Sequence, residues 1–189
     1  MTWNLIRLSD VAPTPWRNGG GITRELAAWP EGRDWTWRIS VAEVAADGPF
    51  SHLPGVQRFF AVLGGAGVRL AVDDRAHEMT AASAPFEFDG AATVDCELLA
   101  GPTRDLNLMV QRGRASGTMT RLGETRSWRT TAAGVVAVYA LTAAAVREHG
   151  NASSVELPPQ ALAWKRVRAG ITLEVVTSAA ICMEIAPRD

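Results

Sequence analysis

The 189-residue chain has only two cysteines, Cys96 and Cys182, and they form no CxxC pair. A disulfide framework and a thiol-built zinc module are therefore excluded, and each cysteine sits in an apolar, strand-like run where a buried, reduced thiol is expected. Long hydrophobic runs are missing as well. Charges interrupt each apolar stretch well short of the roughly 20 residues that a membrane-crossing helix needs. The opening MTWNLIRLSDVAPTPW lacks a basic start, an unbroken apolar stretch and a small-residue cleavage site, so no secretory leader is expected and a cytoplasmic protein is the reading. There is no surplus of charge of either sign: 19 basic residues face 20 acidic ones, a net charge of -1. Sequence-blind binding to nucleic acid or to an anionic membrane draws on excess Lys and Arg, so neither partner is expected. Helical periodicity is weak everywhere, and only residues 143–149 could form a turn or two.

What is present is a strand-and-turn pattern. Hydrophobic residues make up 47% of the chain and charged ones 21%, the balance of a soluble globule. The apolar residues recur at every second position in short runs, punctuated by 17 glycines and 10 prolines, which predicts an all-β protein. Strands are expected over 4–8, 22–29, 35–44, 58–63, 68–72, 94–99 and 105–111, then over 135–141, 171–177 and 180–185. Less regular pieces lie near Thr120 and Val155. The segment 113–117, rich in Gly and small polar residues, is the best linker, dividing the chain into halves 1–112 and 113–189. Two sets of short strands point to two similar sandwich or barrel modules. Gly64-Gly65-Ala66-Gly67 reads as a hairpin turn, since a phosphate loop would need a following helix and a Lys. Pro158-Pro159 opens an irregular segment.

The strand faces carry the functional signal. Within 35–42, Trp35, Trp37, Ile39 and Val41 share one face, and Thr36, Arg38, Ser40 and Ala42 the other. In 22–27, Ile22, Arg24 and Leu26 oppose Thr23, Glu25 and Ala27; in 105–110, Asp105, Asn107 and Met109 oppose Leu106, Leu108 and Val110. Arg58 opens a further strand. If a barrel-like sheet turns such mixed faces inward, Arg24, Arg38 and Arg58 need anions, because an isolated buried charge is very costly. The anions could be Glu25, Glu43 or Asp105, or a ligand carboxylate gripped by bidentate guanidinium contacts. Beside Asn18, Ser40 and Asn107, the arginines predict an anion pocket. Gly19-Gly20-Gly21 stands directly before a strand, where it either lets backbone N–H groups approach an anion or simply gives a bulged entry. Asp47-Gly48-Pro49-Phe50 reads as a tight turn with Phe50 plugging the core, and most of the seven tryptophans as packing residues.

Five motifs now stand in order: PWRNGGGITREL (15–26), WRIS (37–40), DGPFS (47–51), LPGVQR (53–58) and GPTRDLNLM (101–109). Together they resemble the HutD/Ves family, strongly over the first 110 or so residues and beyond that only in length and strand pattern. The resemblance implies a cupin (RmlC-like) fold, commonly a bicupin of two β-barrels, found in bacteria and associated with histidine utilisation. It implies a non-enzymatic protein that binds a small pathway metabolite and moderates that pathway, the Ves branch being associated with environmental stress. Metal-binding cupins carry HxHxxxE before a strand and a glycine turn. The matching segment here, His52-Leu53-Pro54-Gly55-Val56-Gln57-Arg58, keeps one histidine and puts proline and arginine in place of the other ligands. No metal and no cofactor is expected, since Arg58 repels a divalent cation and offers donors to an anion. His77, in a polar connection, and His149 read as surface histidines. The motif matches place Asn18, Arg24, Trp37, Arg38, Ser40, Phe50, Arg58 and Asn107 around the pocket.

Three functions compete at this stage. The first is a regulatory protein that binds a small carboxylate, such as urocanate or a formylated glutamate, with Trp16 or Trp37 covering its apolar part. The second is a metal-free isomerase or lyase acting on the same acids with His52 as base, for which no hydrolase motif such as GxSxG is found. The third is a partner-binding module whose tryptophans and apolar strands form a dimer face; a homodimer is compatible with all three.

Overall fold

The computed structural model describes residues 2–150 and 154–188. Its first strands are β1 (Asn4–Arg7), β2 (Thr14–Pro15), β3 (Gly21–Trp29), β4 (Trp37–Val44), β5 (Gly48–Pro49) and β6 (Val56–Gly64). They are followed by β7 (Val68–Val72), β8 (Arg75–Met79), β9 (Phe86–Asp89), β10 (Val94–Leu98) and β11 (Thr103–Gln111). Then come β12 (Ala115–Leu122), β13 (Arg126–Arg129), β14 (Gly134–Ala140), β15 (Ala144–Glu148), β16 (Ser154–Leu157), β17 (Ala161–Val167), β18 (Thr172–Val176) and β19 (Ala180–Pro187). Among the described residues the helical content is one 3-10 turn, Leu8–Asp10, as the alternating pattern requires.

The chain divides into two compact units, Ala12–Ala115 and Met1–Val11 with Ser116–Asp189. The expected linker 113–117 contains the observed boundary, but only its first two residues lie in a turn, at 112–114; residues 115–117 already run in β12. The first residues differ from expectation: β1 pairs antiparallel with β17, so it belongs to the C-terminal unit rather than to the half 1–112. A four-residue strand carries no local mark of the sheet it joins.

In the unit Ala12–Ala115, a six-stranded sheet of order β2-β3-β4-β11-β6-β9 faces a four-stranded sheet of order β5-β10-β7-β8. Both ladders are open. Val44, Phe60, Val62 and Phe88 from the first sheet meet Val68, Leu70, Met79, Val94 and Cys96 from the second in one buried cluster. Each fully buried large apolar side chain here contributes about 1.5–3 kcal/mol. The other unit has open ladders of order β1-β17-β14-β19-β12 and β13-β18-β15-β16 around a core of Val136, Val138, Val146, Leu157, Leu173 and Val175.

Three local expectations are corrected. Residues 143–149 form no helical turn: β15 runs through them, paired with β16 and β18, and Ala144, Ala145 and Val146 are buried. Sheet pairing and burial on both faces override the helix propensity of an alanine run. Residues 64–67 make no hairpin, because β6 and β7 lie in different sheets and the glycines turn a corner between them. A Cβ on Gly67, at φ +108°, would stand 2.2 Å from the Met79 carbonyl oxygen. Residues 47–50 are not a free turn either. Gly48–Pro49 pairs with β10, the Asp47 carboxylate accepts the Leu98 N–H at 2.7 Å, and Phe50 packs on the core as expected.

Candidate functional site

The register of β4, β11 and β6 builds the site. Arg38 stands opposite Met109, which stands opposite Arg58; Ser40 faces Asn107; Ala42 faces Asp105. These residues share one face of the sheet, with Phe88 of β9 beside Arg58. They form a polar belt between the large apolar cluster and a smaller one of Ala28, Trp35, Val56 and Met109. A cavity of about 560 Å³ opens over the belt. Trp16, Arg17, Asn18 and Thr23 line one side, and Phe50, Ser51 and Leu53 another.

Arg58 is 6% exposed. Its guanidinium carbon lies 5.0 Å from the Phe50 ring centroid and 4.9 Å from that of Phe88, so two aromatic faces hold it. Nη2 donates to Asn107 Oδ1 over 3.5 Å, and Nε has no partner. Burial pulls its pKa down to about 10, opposed by the charge of Asp105, and it remains a cation at neutral pH. Asp105 is 1% exposed; its Oδ1 accepts from Asn107 Nδ2 and its Oδ2 has no partner. Burial pushes its carboxyl up to about 7, against the Asn107 hydrogen bond and the Arg58 charge. Arg38 lies over Trp35 at 5.8 Å and its Nε forms an ion pair with Glu25 Oε2 at 3.7 Å, without a hydrogen bond. Two guanidinium groups lining an aromatic-walled hollow offer fixed positive charge to a small anion.

Of the residues expected in the pocket, Asn18, Arg38, Ser40, Phe50, Arg58 and Asn107 line it. Arg24 and Trp37 do not. Arg24 pairs in register with Val41 and so shares the face opposite Arg38, which Thr23 replaces on the pocket side. Trp37 is 3% exposed on that same opposite face, one residue out of phase with Arg38, and Trp16 takes the covering position. Arg17, Thr23, Leu53 and Met109 were not singled out from the sequence, and Asp105 was read only as an acid for the arginines. The period-two pattern alone puts Asp105 and Met109 on the face of Asn107.

The glycine run offers no backbone cradle at Gly19 and Gly20. The Gly19 N–H donates to the Trp16 carbonyl at 3.0 Å and the Gly20 N–H to Asn18 Oδ1 at 3.0 Å, closing a turn that Trp16 N–H to Gly21 O completes at 2.9 Å. Gly21 is the demanding position: a Cβ there would lie 2.3 Å from the Glu43 carbonyl oxygen and 3.1 Å from the Trp16 ring. Gly21→Ala is expected to cost about 1–3 kcal/mol in chemical denaturation, as overpacking does. It should also shift Trp16 emission, since the indole, now donating to Thr23 Oγ1 at 2.7 Å, would be displaced.

His52 is exposed and does not line the cavity, although Ser51 and Leu53 do. His77 is a correction: it lies in β8, half-buried, with its ring 4.3 Å from that of Phe86. His149 is exposed, as read. Among the described residues, no three His, Cys, Asp or Glu side chains are grouped to hold a metal ion, and no helix is long and apolar enough to cross a membrane. Both cysteines are buried thiols.

The HutD family model matches residues 8–183, which takes in most of both units. The chain belongs to the HutD family. An uncharacterised 21.2 kDa protein in the hutC 3' region of Pseudomonas putida is 42% identical over 115 residues, 59% of this chain and 60% of its own length. Protein Ves of Cronobacter sakazakii is 38% identical over 109 residues, 56% of this chain and 60% of that protein. These matches thus span about 60% of the curated relatives' length. The structure of HutD from Pseudomonas fluorescens SBW25, obtained in a formate condition, superposes over 100% of both chains with a TM-score of 0.86 at 28% identity. Bacillus subtilis oxalate decarboxylase, at 8% identity and a TM-score of 0.67, covers 100% of this chain and 78% of its own, a likeness of fold alone. This HutD family member therefore has a cupin-like β fold.

Proposed function

We propose that the protein is a non-enzymatic regulatory protein of the HutD/Ves type, a bicupin whose Ala12–Ala115 barrel binds a small carboxylate metabolite without a metal. The observation that carries this reading is Arg58: a buried cation, clamped by two rings, lining a cavity that a second arginine shares. Burying such a charge is unfavourable in the empty protein and is offset when a carboxylate arrives. Support also comes from His52, the imidazole the isomerase or lyase alternative needs as base, which is exposed and does not line the cavity. A volume of about 560 Å³ suits an acid of metabolite size, urocanate and N-formylglutamate among them.

Calorimetric titration with these two acids should give saturable heat, and each should raise the melting temperature. Absence of both effects at millimolar acid would overturn the reading. Arg38→Ala should weaken binding several-fold while leaving the assembly state unchanged. A pure partner-binding module predicts the reverse.

A further inference from the structure

The two units repeat one strand plan, and the repeat locates a second hollow. The run β4-β11-β6-β9 of the Ala12–Ala115 unit returns as β12-β19-β14-β17 in the other, and β5-β10-β7-β8 returns as β13-β18-β15-β16. The arginine-lined cavity draws its walls largely from β4, β11, β6 and the segment after β5. A hollow of about 230 Å³ in the C-terminal unit draws on the matching parts: Ser116 and Thr118 of β12, Glu184 of β19, Val136 of β14, and Thr130 and Thr131 after β13. Its charge is inverted. The third residue of β6 is Arg58, in register between Met109 and Phe88, whereas the third residue of β14 is Val136, in register between Glu184 and Lys165. Lys165 is committed to Glu148 of β15, so Glu184 is the charge that this row leaves to the hollow. Glu184 is half-buried, its oxygens remain accessible, and it makes no hydrogen bond or ion pair with a described residue. Arg126 and Arg168 are exposed and stand outside the lining. The rim is fixed: Thr130 Oγ1 donates to the Arg168 carbonyl at 2.8 Å and accepts the Ile171 N–H at 3.1 Å, and the Thr130 N–H donates to the Ile171 carbonyl at 2.9 Å.

We propose that this hollow is a second ligand site, one that takes a small primary ammonium group. An ammonium has three N–H donors and no acceptor; Glu184 is acceptor-only when ionised, and the hydroxyls of Ser116, Thr118 and Thr131 offer further acceptors. A carboxylate would meet repulsion from Glu184 and no cation to offset it. A divalent metal ion would find one carboxylate where it needs several hard oxygen ligands, and among the described residues no three His, Cys, Asp or Glu side chains gather there. The volume, below the roughly 300–1,000 Å³ usual for drug-sized ligands, limits the occupant to a group of a few heavy atoms. The assignment stands on its own: it holds whether or not the arginine-lined cavity binds an acid.

The test uses ethylammonium chloride as probe, titrated at pH 7 into isotope-labelled protein and followed by amide NMR. At up to about 50 mM probe, the amides of Thr118, Thr131 and Glu184 should shift saturably with a Kd of about 1–10 mM, and equal sodium chloride should leave them in place. Glu184→Gln keeps the shape and removes the charge, and should weaken binding about tenfold; Thr118→Val, at an exposed position, should weaken it about threefold and carries the test if the first variant does not fold. Glycerol, which offers hydroxyls without charge, should bind about tenfold more weakly than ethylammonium. Shifts that fail to saturate or that fall only elsewhere, sodium chloride reproducing them, or an affinity unchanged in both variants would overturn the assignment. Glycerol binding as tightly as ethylammonium would overturn it in favour of a polyol site.

Discussion

Lys165→Met is expected to lower stability by about 3–5 kcal/mol, the cost of leaving one partner of a buried ion pair alone, and to lower Tm by roughly 10 °C. Lys165, the single lysine of the chain, lies on β17 between Ala163 and Val167 and opposite Val136, all three in the apolar core of the C-terminal unit. Its ammonium donates to Glu148 Oε2 of β15 and stands 5.8 Å from the Trp3 ring centroid. The side chains are only 5% and 12% exposed, so solvent screens the pair little. With methionine the apolar stem is retained and the charge removed, leaving the Glu148 carboxylate without its partner and shielded from water. That is unfavourable. The double variant Lys165→Met/Glu148→Leu should recover most of the loss, because an apolar pair of similar volume removes both desolvation costs. Urea denaturation of the two variants at pH 7 checks this. A loss below 1 kcal/mol in the single variant would mean that water reaches the carboxylate.

That pair was illegible in the sequence, and the reason is physical. Strand β17 reads ALAWKRV, with two adjacent cations in what proves to be an internal strand, so no clean alternation marks it. Its partner Glu148 lies 17 residues away, in a segment whose alanines suggest a helix. Only pairing between strands brings the two together. The site was more legible because its face repeats every second residue: Arg38, Ser40 and Asn107 follow from alternation alone, whereas Arg58, expected to open a strand at 58, stands inside β6, which begins at Val56. The same alternation argued against Trp37, which cannot share a face with Arg38. Arg24 failed for another reason. Its strand alternates as cleanly as β4, but nothing local states the register that pairs it with Val41 rather than with Arg38. The unpartnered oxygen of Asp105 likewise depends on register and on the exact reach of Asn107, neither of which composition or spacing encodes.

Arg58→Met is expected to reduce carboxylate affinity about 10–100-fold, the loss of one charge-assisted contact of roughly 1.5–3 kcal/mol, while leaving the empty protein as stable as the wild type or more so. The two effects separate because Arg58 is held at the expense of its own hydration. Its pKa is lowered by burial even with Asp105 nearby, and methionine fits between the Phe50 and Phe88 rings without that penalty. Removing the cation also removes the charge that favours ionised Asp105, so the acid stays neutral to higher pH and no lone buried anion is left behind. Arg58→Lys should not restore binding. An ammonium lacks both the planar face that two rings can hold and the fork that reaches Asn107 and a ligand oxygen together. Calorimetry with formate and thermal melts without ligand measure the two sides independently. A purely structural arginine predicts the opposite result, with stability lost and affinity for the probe unchanged, because its contacts would then serve the fold and an incoming acid would never meet them.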